Sequence, residues 1–169
     1  RAAGLAGALQ ELGHSVEDRG NLAPAPQRPL SHPNQAIKHL PEVVAWTEAL
    51  AEASYRLAAE GMPIVLGGDH GLAAGTLSGF SRRAAETGRP FFVLWLDAHP
   101  DSHTLVSTVS GNLHGCPVAY ATGRPGFEGY FPPLAAPVKP ENICMIGIRS
   151  VDPAERTALT AAGVTVHDM

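Results

Sequence analysis

Cysteine is nearly absent from this 169-residue chain, with Cys116 and Cys144 its two examples. They are too few and too far apart for a disulfide framework or a Cys-x-x-Cys metal site, so both read as buried free thiols. Basic residues are also thin. Twelve Lys and Arg against sixteen Asp and Glu give a net charge of −4. There is no basic run and no interleaving of aromatic with basic residues, which argues against a nucleic-acid partner. No apolar stretch approaches the ~18 to 20 residues a membrane helix needs, and no charged-apolar-small pattern marks a signal peptide. The chain therefore reads as cytoplasmic, with no membrane partner. An initiator Met is lacking too: the chain opens at Arg1 inside a helical pattern and stops at Met169 after a strand-like run, so it reads as cut at both ends. What is present, 44% hydrophobic and 17% charged residues, is enough to bury a core and suits one partial α/β domain over residues 1–169.

Hydrophobic spacing organises the chain. Over residues 1–12 the positions Leu5, Ala8, Leu9 and Leu12 share a helical face, which Gly13 closes. Residues 15–18 suit a short edge strand. Residues 21–33 hold four prolines and form a loop. A long helix is expected over 41–60, through Val44, Leu50, Leu57 and Ala58, ended by Gly61. Residues 63–66 form a short apolar strand before a glycine pair, and 72–83 a helix. The continuous apolar run 91–96 is expected to be a strand buried on both faces. Residues 143–148 repeat that character, 154–162 read as a helix and 164–166 as the start of another strand. Strands separated by helices imply parallel βαβ units with right-handed crossovers, hence an α/β doubly wound sheet. The proline-rich piece 124–140 reads as a long surface loop.

In such a sheet ligands gather at the carboxyl ends of the strands. Gly67-Gly68-Asp69-His70 follows the expected strand ending at Leu66, and Asp97-Ala98-His99-Pro100-Asp101 follows the one ending at Leu96. Asp97, His99 and Asp101 alternate at a spacing of two, so an extended backbone would point all three the same way. Such groups would repel or desolvate one another unless a cation compensated. His70 would add a nitrogen ligand. Carboxylate and imidazole without thiolate suit manganese, with zinc, iron, cobalt or nickel as alternatives. Asp and His after strands also cap helices and close turns, so either segment alone is weak and the pair is strong. Gly67 and Gly68 are equally a tight turn that presents His70. A third piece, Ser110-Gly111-Asn112-Leu113-His114-Gly115, follows a hydroxyl-rich stretch and has the character of a substrate-binding loop. By itself a loop His such as His114 is more often solvated than a proton-transfer group.

Together these residues resemble the arginases within the ureohydrolase family. GGDH at 67–70, DAHPD at 97–101, SGNLHG at 110–115 and IGIRSVDPAE at 146–155 stand in that family's order and spacing, and the likeness runs along nearly the whole chain. The resemblance implies a truncated three-layer arginase/deacetylase-like sheet. It makes His70, Asp97, His99 and Asp101 ligands of a two-manganese cluster, with Asp97 bridging and Asp101 counted also as catalytic. A metal-bridging hydroxide would attack the guanidinium carbon of L-arginine, giving L-ornithine and urea. His114 matches the proton-shuttling histidine. Thr104, Ser110 and Asn112 match positions that hold the substrate carboxylate, and Asp152 one that holds its α-amino group, with Glu155 assisting.

Two positions depart from the pattern: His103 stands where an Asn usually contacts the carboxylate, and Gly71 replaces the Ser of GGDHS. A later Asp-x-Asp metal motif, a guanidinium-gripping acid and the first strand with its glycines lie outside the chain, so the segment alone is expected to bind manganese weakly and to be weakly active or inactive. The resemblance further implies a homo-oligomer, trimer or hexamer. Two alternatives remain at this point, agmatinase or another guanidino-hydrolase, and a non-catalytic fragment acting as an interaction domain. Agmatine lacks a carboxylate and would leave the loop's hydroxyl and amide groups unpaired, which favours arginine.

Overall fold

The computed structural model describes residues 4–168. Helix α1 (Leu5–Glu11) lies on the surface with no buried residue, and the expected start of this helix at residues 1–3 falls outside the described residues. The edge strand expected at 15–18 does not form. Its charged residues are exposed and turn locally instead, the Gly20 N–H donating to Asp18 Oδ1 at 2.8 Å and Arg19 pairing with Glu17 at 3.1 Å and with Glu60. Residues 21–33 run without regular structure, as four prolines require.

Helix α2 (Leu40–Leu57) carries Pro41 in its first turn, where a missing N–H costs nothing. It buries Leu40, Val44, Ala45 and Leu50 and packs along α3 (Leu72–Glu86). Glycine sets that contact. A Cβ on Gly75 would stand 2.6 Å from both Leu50 Cβ and the Thr47 carbonyl oxygen, and one on Gly79 would overlap the carbonyl oxygen of Ala51. The buried Thr47 hydroxyl donates to the Val43 carbonyl at 2.9 Å, whereas the Ser54 hydroxyl, buried opposite Gly79, has no hydrogen-bond partner among the described residues. None of the described helices is long and apolar enough to cross a membrane.

Three parallel strands follow in the order β1 (Val93–Leu96), β2 (Ile143–Ile148), β3 (Thr165–Asp168), with Val93 opposite Ile143 and Trp95 opposite Met145. The crossover from β1 to β2 contains the short helix α4 (Pro117–Ala121), and β2 leads to β3 through α5 (Pro153–Ala162). The parallel α/β arrangement is thus the expected one. Val93, Trp95, Ile143 and Met145 bury one sheet face against Ala73, Val118, Ala121 and Leu159. The other face is open. Leu94, Leu96 and Ile146 are 62%, 69% and 44% exposed, so β1 is buried on one face and not, as its apolar run suggested, on both. The described helices supply a layer to one side alone.

The run 63–66 is also not a strand. An extended segment joins a sheet by pairing its backbone groups, and no described strand runs beside this one; Ile64 and Leu66 are exposed. Conversely, residues 124–140 are more than a surface loop. Phe127 and Phe131 are buried and meet Tyr120 at ring-centroid distances of 5.5 and 4.9 Å, while the Val138 N–H donates to Ala121 O at 2.8 Å. This aromatic cluster, with Leu40, Val44, Leu105 and Leu113, forms a second core beneath residues 101–116. Cys116 is buried as expected, Cys144 is only half-buried, and both are free.

The glycine seam gives a direct test. The variant G79A should force α2 and α3 apart and lose on the order of 1–3 kcal/mol. In contrast, G7A adds a methyl to open space inside α1 and should be neutral or stabilising by up to about 1 kcal/mol. Urea-denaturation midpoints compare the two; equal midpoints would count against close helix contact at Gly79.

Candidate metal centre

Beyond Leu96 the chain bends at once. The Asp97 N–H still donates to the Ile146 carbonyl at 3.3 Å, but Asp97 Oδ1 then accepts the His99 N–H at 2.9 Å, closing a tight Asx turn. Trp95 Nε1 holds the His99 carbonyl at 3.0 Å, and the N–H groups of Arg149 and Ser150 both donate to Ala98 O. Asp101 itself takes a left-handed backbone, φ 46°, rare for a residue with a Cβ. The extended alternation expected over 97–101 is therefore replaced by a pinned bend. Convergence of the side chains comes from that bend.

His70 reaches the same point from another segment. It lies in the turn that opens α3, where Asp69 Oδ1 accepts the Gly71 N–H at 2.7 Å and the Ala73 N–H donates to His70 O at 3.0 Å. A Cβ on Gly71 would come within 2.7 Å of Asp69 Oδ1, the end of an exposed side chain that can shift, so nothing in the structure requires glycine rather than serine here. The His70 ring stacks on Trp95, centroids 4.6 Å apart, and its Nδ1 stands 2.9 Å from both Asp97 Oδ2 and Asp101 Oδ2. A single ring nitrogen carries at most one proton and cannot satisfy two carboxylates. Asp101 is 7% exposed. Burial first, and the charge of Asp97 second, push its carboxyl up to about 7, against the opposing pull of His99 and His114. Two carboxylates and an imidazole aimed at one point, one of them reluctant to ionise, make a donor set that a hard or borderline divalent cation would satisfy. His99 stands just outside this group, its Nδ1 3.5 Å from the other oxygen of Asp97 and its side chain largely exposed.

The loop from 102 to 115 flanks the cluster. Gly111, at φ 72°, passes so close to the Ala36 carbonyl that any Cβ would overlap it. The Lys38 N–H donates to Gly111 O at 3.0 Å, and Lys38 Nζ to Asn112 Oδ1 at 3.2 Å. Ser110 Oγ accepts the Asn112 N–H at 3.3 Å and is exposed. His114 Nδ1 lies 3.3 Å from Asp69 Oδ2, which ties the SGNLHG segment to the GGDH turn. Thr104 differs from the other expected substrate contacts: it is 7% exposed, and its hydroxyl accepts the Ser107 N–H at 3.2 Å within a closed turn.

A second anionic group stands beside the first. Glu155 is buried, its Oε1 accepting the Ser102 N–H at 3.1 Å and its Oε2 the Asp152 N–H at 3.4 Å, in a capping box that starts α5. His103 Nε2 sits 3.4 Å from Asp152 Oδ2 and 3.3 Å from Glu155 Oε2. The structure thus brings together two His-carboxylate groups, His70-Asp97-Asp101 and His103-Asp152-Glu155. Sequence reasoning did not single out Trp95, which orients both His70 and His99, nor Asp69 on His114, although Asp69 lies inside a motif it used. It also missed Ser107 and Arg124, whose Nη1 reaches Ser102 O at 2.5 Å and Oγ at 2.9 Å. Neither has a local pattern that could have revealed it.

These features define a class, the parallel α/β proteins that collect nitrogen and oxygen donors for divalent cations beyond the ends of their strands. The chain belongs to the arginase family, whose model matches residues 3–169. It is 69% identical to the arginase of Brucella melitensis and 55% identical to that of Agrobacterium fabrum, each match taking in 100% of this chain but 55% and 52% of the relative. The crystal structure of Bacillus subtilis arginase superposes with a TM-score of 0.80 at 35% identity, over 99% of this chain and 56% of that one. The chain therefore spans about half the length of these relatives.

The burial of Asp101 sets a pH dependence. Its carboxyl holds a proton more tightly folded, at about 7, than at the ordinary 3.8, so its contribution favours folding at low pH and is lost as the pH rises from about 4 through about 7. D101N removes the ionisable group. The melting temperature of metal-free D101N should exceed that of the parent near about pH 8, and the difference should vanish near about pH 4. Added manganese should stabilise the parent but not the variant. An equal shift at both pH values would refute the burial account.

Proposed function

We propose that the whole protein hydrolyses the guanidinium group of L-arginine to L-ornithine and urea, with two manganese ions held in part by His70, Asp97, His99 and Asp101. The observation that carries this reading is the approach of one His70 nitrogen to the carboxylates of both Asp97 and Asp101, next to a second group able to receive an ammonium. The names of the relatives, each an arginase, support it. Bound there, the ions would supply Lewis acidity and ionise a water at neutral pH.

The chain's own residues would do the rest. Asp152 and Glu155 receive the α-ammonium, the charge-assisted partner their position suits. Ser110, Asn112 and His103 offer donors to the α-carboxylate, and Thr104, engaged in its turn, shapes that loop. Water adds its oxygen to the guanidinium carbon, the bond from that carbon to the side-chain nitrogen of ornithine breaks, and that nitrogen must gain a proton. His114 would deliver it. With Asp69 Oδ2 accepting at Nδ1, Nε2 is left to carry the mobile proton. The family resemblance also supports a cytoplasmic homo-oligomer, trimer or hexamer, which sedimentation of the whole protein would test.

Urea release measured on the whole protein with added manganese decides the reading. Arginine should be preferred over agmatine and over guanidinobutyrate by about 10²-fold or more in kcat/KM. H114N should lower kcat by about 10² to 10⁴ while leaving bound manganese unchanged. Absence of urea from arginine, or a preference for agmatine, would sink it.

A further inference from the structure

We infer that His103 is a resident occupant of the α-ammonium site, which substrate displaces and which then binds the substrate carboxylate; this rests on the arginine reading above. The ring already acts as the cation-like partner of Asp152 and Glu155, its Nε2 at 3.4 and 3.3 Å. No protonation change is needed. Ser107 Oγ accepts both the Thr104 N–H, at 2.9 Å, and the Thr104 hydroxyl, at 3.3 Å, which leaves the Ser107 proton for His103 Nδ1 at 3.4 Å. The ring proton of a neutral His103 is then on Nε2, facing the two carboxylates.

That contact is built to be exchanged. Both distances exceed those of an ordinary N–H···O bond, and one N–H is spread over two anions. The buried member of the pair cannot follow the ring if it leaves: Glu155 is fixed through the Ser102 N–H, while Asp152, at the start of α5, keeps its side chain 67% exposed. The His103 backbone is held by its N–H to Gly115 O at 3.0 Å, but its side chain is 25% exposed and can turn. A primary ammonium offers three donors where the ring offers one, so it serves the pair better.

Displacement then leaves the Nε2–H in need of an acceptor. In arginine the carboxylate is on the same carbon as the ammonium, within reach of the displaced ring. Agmatine displaces the ring but gives it no acceptor, and guanidinobutyrate offers the carboxylate but cannot take the anions. His103 therefore couples the two recognition events, and a substrate must satisfy both.

The test is steady-state kinetics of the whole protein and its H103A and H103N variants with arginine and agmatine. In H103A the KM for arginine should rise about tenfold with kcat nearly unchanged, while the KM for agmatine stays level or falls, so the preference narrows about tenfold or more. In H103N, whose amide can donate to a carboxylate, the arginine KM should return to within about threefold of the parent. Changes by the same factor for both substrates, or a fall in kcat at constant KM, would overturn the inference as a merely structural effect. So would a manganese ion per chain lost in H103A, which would make the cluster a metal site. A parent enzyme that releases no urea from arginine is a different failure, that of the arginine reading itself.

Discussion

Two carboxylates compete for one imidazole nitrogen at the centre of this structure, and one of them, Asp101, is buried. Much of the surrounding architecture serves to hold them there. The bend at 97–99, the left-handed backbone of Asp101 and the stacking of His70 on Trp95 each restrict a group that would otherwise move away from like charge. The Val118 N–H reaches back to Asp101 O at 3.0 Å, so the first turn of α4 fixes the main chain on the far side of the cluster. A protein does not gather negative charge in a half-dry site without something to bind it, because each added carboxylate raises the cost of ionising the next. The rise of the Asp101 carboxyl to about 7 is that cost made visible.

Much of this was legible in the amino-acid sequence, and the reasons differ by element. Helices α2, α3 and α5 and strand β2 are long or regular enough for their apolar spacing to declare them, and β2 ends where its sequence run ends. The convergence of GGDH with DAHPD was also readable, because residue chemistry and order both pointed to it. The route to convergence was not. An alternating pattern predicts an extended chain only if nothing bends it, and the Asp97 carboxylate folds its own backbone by accepting the His99 N–H. Burial failed for a different reason. Leu94, Leu96, Ile64 and Leu66 are as apolar as any core residue, but pairing and covering depend on neighbours that a local window does not contain. The loop at 124–140 erred the other way, since its prolines concealed that Phe127 and Phe131 complete an aromatic cluster.

The same negative field extends from one His-carboxylate group to the other. Glu155 raises the Asp101 carboxyl, and the buried Cys116 thiol, pushed up to about 12 chiefly by burial, is raised further by both Asp101 and Glu155. The connection between the groups is short. Asp101 belongs to one, His103 to the other, and between them Ser102 gives its N–H to Glu155 while Arg124 grips its carbonyl and hydroxyl. Arg124 is thus the nearby cation that anchors the link without entering either cluster. Because successive side chains along 101–103 diverge, one rigid stretch of backbone can set the separation between the two His-carboxylate groups. A substrate with cationic groups at its two ends would meet both halves of that field, and a movement at Ser102 would disturb both together. The two His-carboxylate groups are therefore positioned by the same three residues, and neither can be moved far without the other.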